Sequence, residues 1–201
     1  MDAPRMRIGV IGDSAPGKLF AERLAQAGHK VGNAADAEAL ILAVEEDRLP
    51  AAIEEAAGIV RSGTIVMHTC LTRGAQALDA LETRGAIVAA VCPVDDEAWA
   101  VDALDELGET VATLLVFESH GKYMLLSDAD RPDFVAGVYK REMLREILAR
   151  EGGGNDYTPL SARQIIAGYN GDPAYLTYAR RLAELRGDID LEFWGSNDRY
   201  Q

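Results

Sequence analysis

The chain has 201 residues, of which 48% are hydrophobic and 26% charged, as is typical of a globular protein. This composition excludes disordered, collagen-like and low-complexity classes. The net charge is −13, from 33 acidic and 20 basic residues, which argues against nucleic-acid binding because phosphates are bound by cationic surfaces. The acidic excess is interpreted as a solvated surface, or alternatively as a docking face for a basic partner.

The sequence also bears on the compartment. No apolar run approaches the roughly 20 residues needed to span a bilayer, and the first residues, MDAPRMRIGV, lack the pattern of a signal peptide. Two cysteines in the whole chain do not make a disulfide framework. The sequence therefore predicts a cytoplasmic protein with reduced thiols, with neither a membrane nor a nucleic acid as partner.

Apolar runs and helical repeats alternate over the first 117 residues. Strands are predicted at 7–11, 29–33, 39–44, 64–69, 86–91 and 110–117. Helices are predicted at 18–27, 49–60, 75–81 and 96–107, the last ending at Gly108. Strands that alternate with helices indicate βαβ units and a parallel sheet covered on both faces.

The pattern changes after residue 117. No strand is predicted between 119 and 151, and a long helix is predicted after Pro132. Proline after an N-cap residue predicts two further helix starts, at Thr158-Pro159 and Asp172-Pro173. The predicted organisation is an α/β domain over 1–117 followed by a helical segment over 118–201.

A glycine turn joins the first strand to the first helix; its residues are Gly12, Asp13, Ser14, Ala15, Pro16 and Gly17. It fits the dinucleotide fingerprint G-x-G-x-x-G, with Ser14 in place of the middle glycine. It also fits part of the P-loop template, through Lys18, but Leu19 stands where that template needs a hydroxyl for Mg²⁺. A third interpretation is a strand-to-helix turn that binds nothing.

Three segments carry a resemblance to a known family: GVIGDSAPGKLFAERLAQAGHKV, ALILAVEEDRLPAAIEEAAGIVRSGTIVMHT and GAQALDALETRGAIVAAVCPV. They resemble the 6-phosphogluconate dehydrogenase-like NAD(P)-binding superfamily, which includes pyrroline-5-carboxylate reductase and prephenate dehydrogenase. The similarity covers about residues 1–128 and is nearest to a little-characterised Rossmann-like branch. It implies a Rossmann-like fold, NADP or NAD as cofactor, and an oxidoreductase acting on a small carbonyl or imine.

The resemblance also implies roles for particular residues. The turn 12–17 would hold the cofactor. The rule that ligands of open α/β sheets bind outside the carboxyl ends of the strands adds Glu45, His68 and Thr69 as cofactor-binding residues. The segment 119–128 (SHGKYMLLSD) is similar to a family helix that lines the substrate cleft. It makes His120 the predicted general acid, with Lys122 supplying charge or a proton. Relatives dimerise through the helical region, so a homodimer is expected.

The sequence departs from the family in two further places. Only eight residues, 32–39, separate Val31 from Leu40, whereas a parallel crossover needs at least about 10–12. The second strand-helix unit is therefore predicted to be deleted or replaced, which leaves Asn33 and Asp36 nearest the place of the ribose-binding acid. The family's His-Pro pair is Cys92-Pro93 here.

Ligands of open α/β sheets bind outside the carboxyl ends of the strands. That rule brings His68, Cys70, Cys92 and Asp95 into consideration with the turn. A metal site needs three or four convergent ligands, so the favoured interpretation is two buried thiols, a buried hydrogen-bonded histidine and no metal.

Two functions remain open from the sequence. The first is the NAD(P)-dependent oxidoreductase, which is supported by the motifs that flank the shortened unit. The alternative is a Rossmann-derived protein that has lost the dinucleotide and serves as a non-redox enzyme, small-ligand binder or scaffold. The missing second strand-helix unit supports this alternative.

Overall fold

The computed structural model describes residues 5–95 and 97–138. The strands are β1 Arg7–Gly12, β2 Lys30–Gly32, β3 Ala39–Ala43, β4 Ile65–His68, β5 Ile87–Pro93, β6 Ala98–Ala103 and β7 Lys122–Leu125. The α-helices are α1 Ala15–Gln26, α2 Leu49–Ala57, α3 Asp79–Glu82 and α4 Glu106–Glu118, and 3₁₀ turns lie at Ala34–Asp36, Glu46–Arg48 and Ala75–Leu78.

The seven strands of the described residues form one sheet in the order β2-β1-β3-β4-β5-β6-β7. Every neighbouring pair is parallel except β5 and β6, which are antiparallel. Residues of α1 and α4 pack on one face of the sheet, and residues of α2 and α3 pack on the other. The architecture confirms the predicted α/β, Rossmann-like fold with a dominantly parallel sheet.

The central strand β3 shows why the apolar run folds this way. All five of its residues are buried, with Ile41 in the core of one face and Leu40 and Leu42 in the core of the other. A strand covered on both faces has no reason to alternate polar and apolar residues. Each such leucine or isoleucine contributes roughly 1.5–3 kcal/mol by its burial.

Two element predictions near residue 100 are wrong. The segment predicted as a helix at 96–107 contains strand β6, in which Trp99 and Val101 alternate into the core. The segment predicted as a strand at 110–117 belongs to helix α4. Asp105 caps this helix by accepting a hydrogen bond from the Gly108 N–H at 2.7 Å, so this glycine lies inside the first turn of a helix and does not end one.

Strand β7 corrects the expectation of no strand between 119 and 151. Ser119 ends α4, and His120 follows with a positive φ of 58°, which turns the chain directly into the sheet. Residues 128–130 then form a turn. The likeness of 119–128 to a cleft-lining helix is therefore wrong at the level of structure.

The link from β2 to β3 shows what has been lost. The second strand is kept, but only residues 33–38 connect it to β3, and they contain a single 3₁₀ turn. The link crosses β1 at Gly9, where an added Cβ would stand 2.5 Å from the Ala34 Cα. The doubly wound order is 3-2-1-4-5-6; the missing parts are therefore the outer third strand and the helices around it.

The chain divides into two compact units, Met1–Arg131 and Pro132–Gln201. Residues 131–138 are helical, as expected after Pro132. The helices predicted beyond residue 138 lie outside the described residues. Within the described ranges, no helix combines the length and the apolarity that a bilayer crossing requires.

Candidate functional site

The carboxyl ends of β1 and β3 form the point at which the strand order reverses. From β1 the chain goes to β2 on one side, while β3 pairs with β1 on the other. Helix α1, which follows β1, covers one face, and α2, which follows β3, covers the opposite face. Such a reversal leaves a crevice between the two strand ends, where open α/β sheets bind ligands.

The glycine turn at this crevice is packed tightly on the end of β3. Gly12 has a φ of 91°, and a Cβ on it would strike the Ala43 carbonyl oxygen. A Cβ on Gly17 would strike the Ala43 side chain. The Ser14 N–H donates to the Ala43 carbonyl at 2.8 Å. The two glycines are thus explained by backbone conformation and by close helix–strand packing.

The Ser14 hydroxyl has no hydrogen-bond partner within the described part of the chain. Ser14 is the N-cap of α1, yet its side chain does not cap the helix, and the residue is only 7% exposed. Its Oγ would lie 3.3 Å from a Cβ on Gly17, so it points into the first turn of the helix. A buried hydroxyl without a partner costs about 1–3 kcal/mol, which a ligand oxygen at this position would offset.

Charged side chains flank the turn in exposed positions. Lys18 Nζ lies 3.9 Å from the Asp13 carboxylate, and both side chains are more than half exposed. Glu45 follows β3 and is also exposed. Pro16 stands in the first turn of α1 and has no N–H. The backbone donors left for an anion at this helix end are therefore those of Ala15 and Gly17.

The side of the crevice towards β2 is short. Gly32, the last residue of β2, pairs with Gly9, three residues before the end of β1. At about 3.3 Å per residue, β2 stops roughly 10 Å short of the carboxyl edge. Neither residue predicted near the ribose acid replaces it. Asn33 caps the following 3₁₀ turn through its side chain, and the Asp36 carbonyl accepts from Arg7 Nε at the opposite edge.

His68, on the other side of the crevice, is fully buried and uses both ring nitrogens. Its Nδ1 accepts from the Cys70 N–H at 3.2 Å, and its Nε2 donates to the Gly74 carbonyl at 3.0 Å. Burial is the main reason that its pKa is lowered to about 4. His68 is thus neutral and structural at neutral pH, as the sequence favoured.

The two thiols lie near His68, and both are buried. Cys70 Sγ donates to the Val44 carbonyl at 3.3 Å, and Cys92 Sγ donates to the Cys70 carbonyl at 3.1 Å. Burial raises the pKa of each thiol to about 12. Within the described ranges, no cluster of three or more His, Cys, Asp or Glu residues is arranged to hold a metal ion.

Two other predicted edge residues differ in what they do. Asp95 organises the β5–β6 turn, since its Oδ1 accepts from the N–H groups of Glu97 at 2.9 Å and Ala98 at 2.7 Å. Thr69 directly follows β4 and is buried, and its hydroxyl has no partner in the described part of the chain. Thr69 thus resembles Ser14 in offering an unused polar atom near the strand ends.

Arg131, which the sequence analysis missed, holds the loop after β4. It is almost completely buried, and it donates to the carbonyls of Leu71 at 3.1 Å and Leu126 at 2.9 Å. Its nitrogens also lie 3.7 Å from the carboxylates of Asp102 and Asp128. The sequence offers no signal for this role, because an arginine beside Asp128 and Asp130 is ordinarily exposed.

The predicted catalytic pair is not brought to the turn. His120 shares a surface depression with Arg5 and Ala27, at the end of α1 about 18 Å from the turn. Lys122 forms an exposed ion pair with Glu97 at 2.6 Å. It lies on the edge strand β7, five strand spacings or about 24 Å from β1.

Comparison with known proteins agrees with this fold. The family profile of the Rossmann-like domain matches residues 31–93. Among curated proteins, none matches the chain significantly. The first comparison structure is 3-hydroxyisobutyrate dehydrogenase of Mycobacterium tuberculosis with L-serine, which superposes with a TM-score of 0.59 at 14% identity, over 96% of this chain and 91% of that chain.

Two other structures are similar to the same extent. Plasmodium falciparum pyrroline carboxylate reductase with NADP bound gives a TM-score of 0.57 at 13% identity, over 96% of this chain and 83% of that chain. Prephenate dehydrogenase from A. aeolicus, in complex with hydroxyphenyl propionate and NAD⁺, gives 0.57 at 10% identity, over 98% and 88%. At these identities the matches establish the Rossmann-like fold and nothing finer.

Proposed function

We propose that this chain is an NAD(P)-dependent oxidoreductase that holds its dinucleotide by the turn of residues 12–17. The observation that carries the proposal is the Ser14 hydroxyl, buried and without a partner among the described residues, at the N-terminus of a helix of 12 residues. The positive end of a helix attracts phosphate, and a hydroxyl there can donate to a phosphate oxygen. The residues present thus fit the pyrophosphate of the cofactor.

In this proposal, the nicotinamide and the substrate lie on the β4 side of the crevice. A bound nicotinamide would supply the hydride for a small carbonyl or imine. The unused hydroxyl of Thr69 can donate to a polar atom near the ends of β4 and β5. His68 and the two thiols do not exchange protons at neutral pH, since the pKa values are about 4 and about 12. The substrate proton has to come from another group.

A second candidate function is favoured by the early end of β2. The missing third strand and the short link at 33–38 remove the wall on which the adenosine half of a dinucleotide normally rests. The same turn would then serve a smaller phosphate-bearing ligand without redox chemistry. This candidate and the first make opposite predictions for nicotinamide cofactors.

Titration calorimetry with NADH, NADPH and inorganic pyrophosphate tests both candidates. We expect micromolar binding of a nicotinamide cofactor by the unaltered chain. Ser14→Ala should weaken that binding about tenfold, since it removes one hydrogen bond to a charged group. Its thermal stability should not fall, because this hydroxyl bonds to nothing in the described part of the protein.

Ser62→Ala is the matched control, because Ser62 is an exposed serine at the amino edge of the sheet. It should leave every affinity unchanged. If neither cofactor binds at millimolar concentration, the oxidoreductase proposal fails. Binding of pyrophosphate alone would then establish the smaller ligand.

A further inference from the structure

We infer that the site recognises the phosphates and the nicotinamide side of a dinucleotide but not its adenosine, so that NADH and NADPH bind equally. This inference rests on the proposed function, and it specifies which half of the dinucleotide the protein recognises. In a complete doubly wound sheet, a residue at the end of the second strand binds the 2′ position of the adenosine ribose. An acid there selects NAD, and a nearby arginine accepts the phosphate of NADP.

The first argument is the length of β2. Its register with β1 ends at the Gly9–Gly32 pair, while β1 itself continues to Gly12. A side chain at the end of β2 therefore starts about 10 Å below the edge at which the turn lies. Gly32 itself has no side chain, and no atom of the described residues lies within 4 Å of the place where its Cβ would be.

The second argument is that the next polar residues are either bonded within the link or placed at the amino edge of the sheet. The Asn33 side chain accepts from the Ala35 N–H at 3.1 Å and so is bound to its own link. Asp36 and Arg7 lie together at the amino edge, where Arg7 Nε donates to the Asp36 carbonyl at 2.9 Å. Neither an acid nor a cation of this link reaches the carboxyl edge. The link therefore supplies no partner for the 2′ position of the adenosine ribose.

The third argument is the path of the link. Residue Ala34 passes so close to β1 that Gly9 has no room for a side chain. The link returns at once to the amino edge, where the Glu38 N–H donates to the Arg7 carbonyl at 2.8 Å. No further strand or helix of this link stands beside β2. By contrast, the turn and the end of β4 each carry a buried hydroxyl that has no partner among the described residues, on Ser14 and Thr69 respectively.

The experiment compares fragments of the cofactor by calorimetry. The probes are NADH, NADPH, reduced nicotinamide mononucleotide, AMP and adenosine 2′,5′-bisphosphate. We expect NADH and NADPH to agree within threefold and the mononucleotide to bind within about tenfold of NADH, since it lacks one phosphate and the adenosine. The two adenosine probes should bind no more tightly than inorganic pyrophosphate, because only their phosphates can be held by the turn.

Several results would overturn the inference. A preference above tenfold between NADH and NADPH, or binding of an adenosine probe more tightly than inorganic pyrophosphate, would show that the protein recognises the adenosine. The proposed function would still stand if NADH binds. Absence of binding by every nicotinamide probe would overturn the inference and the proposed function together.

A pair of variants tests the geometry directly. Gly32→Asp places an acid at the end of β2, in open space. If β2 is too short to reach the ribose, this variant should leave the ratio of the NADH and NADPH affinities within twofold of the original. Ser14→Ala should weaken NADH, NADPH and the mononucleotide by the same factor. A Gly32→Asp variant that gains tenfold selectivity for NADH would contradict the inference.

Discussion

The two sides of the crevice at the carboxyl edge are built in different ways. On the β2 side, a link of six residues crosses β1 over Gly9, and most of its residues are exposed. On the β4 side, the loop 69–75 is fixed by buried side chains, with His68 bonded to Gly74 and Arg131 to Leu71. The difference shows that a Rossmann-like sheet can lose its outer third strand while the β4 side keeps its buried hydrogen bonds.

Among the substitutions that test the difference between the two sides, one at Gly9 should have the largest effect on the free energy of unfolding. Gly9→Ala places a Cβ 2.5 Å from a backbone atom of Ala34, so the link from β2 to β3 has to move. We expect the free energy of unfolding to fall by about 3 kcal/mol or more, as for overpacking against backbone. Urea unfolding followed by circular dichroism measures it.

The matched control is Gly32→Ala, the cross-strand partner of Gly9, where nothing lies within 4 Å of the added Cβ. It should change stability by less than about 0.5 kcal/mol. Equal losses in the two variants would show that the link does not press on β1 as described.

Substitution of Arg131 tests the other side. Arg131→Met removes the donors to two carbonyls and leaves the carboxylates of Asp102 and Asp128 without their cation. Breaking a buried charge pair from one side costs about 3 kcal/mol. The loss should show in urea unfolding and should be smaller at pH 5 than at pH 8, because burial already raises the pKa of Asp102.

Arg73→Met is the control for Arg131→Met, since Arg73 is an exposed cation of the same loop. A change below about 0.5 kcal/mol is expected for it. An Arg131→Met protein as stable as the original would mean that the loop 69–75 is held by its other bonds alone.

The pH dependence of stability gives an effect on the same side that is confined to acidic pH. Unfolded histidine has a pKa near 6.5, but folded His68 stays neutral down to about pH 4. Between these values the unfolded chain binds a proton that the folded chain does not, so stability falls as the pH drops from 6.5 towards 4. The contribution reaches roughly 3 kcal/mol at pH 4 and is absent above pH 7.

His68→Gln should lose this contribution, because glutamine keeps a polar amide but does not titrate. The free energy of unfolding, measured in urea from pH 7.5 to pH 4, should fall less steeply in the variant than in the original. Parallel curves for the two proteins would show that His68 takes up its proton in the folded state.

The sequence predicted the parallel part of the fold well because its signals are local. The run ALILA is buried on both faces, and the spacing of Gly12 and Gly17 marks a strand, a tight turn and a helix. It failed between residues 96 and 125, where the β-branched run TVATLLVF looks like a strand. There the cap formed by Asp105 and Gly108 decides for a helix, and tertiary packing overrides propensity.

The candidate site was predictable only in part. The turn follows from its glycines, and the burial of His68 follows from its place on an apolar strand. The bond between Arg131 and Leu71 joins residues 60 positions apart, and no local pattern encodes such a contact. The position of His120 was predicted wrongly because its segment resembles a family helix, whereas in the structure the strand β7 follows this residue.

Within the described residues, the sheet ends on both sides in short strands, a feature that bears on aggregation at high protein concentration. Strand β2 has three residues and β7 has four, and each begins with an exposed lysine, Lys30 and Lys122. Open strand edges are templates for fibre growth, and brevity and lysine charge are the means by which native sheets resist it. Tyr123, Met124 and Leu125 are exposed on β7, and the charge of Lys122 is balanced by Glu97 at 2.6 Å, so the brevity of β7 is the feature that limits strand pairing at this edge.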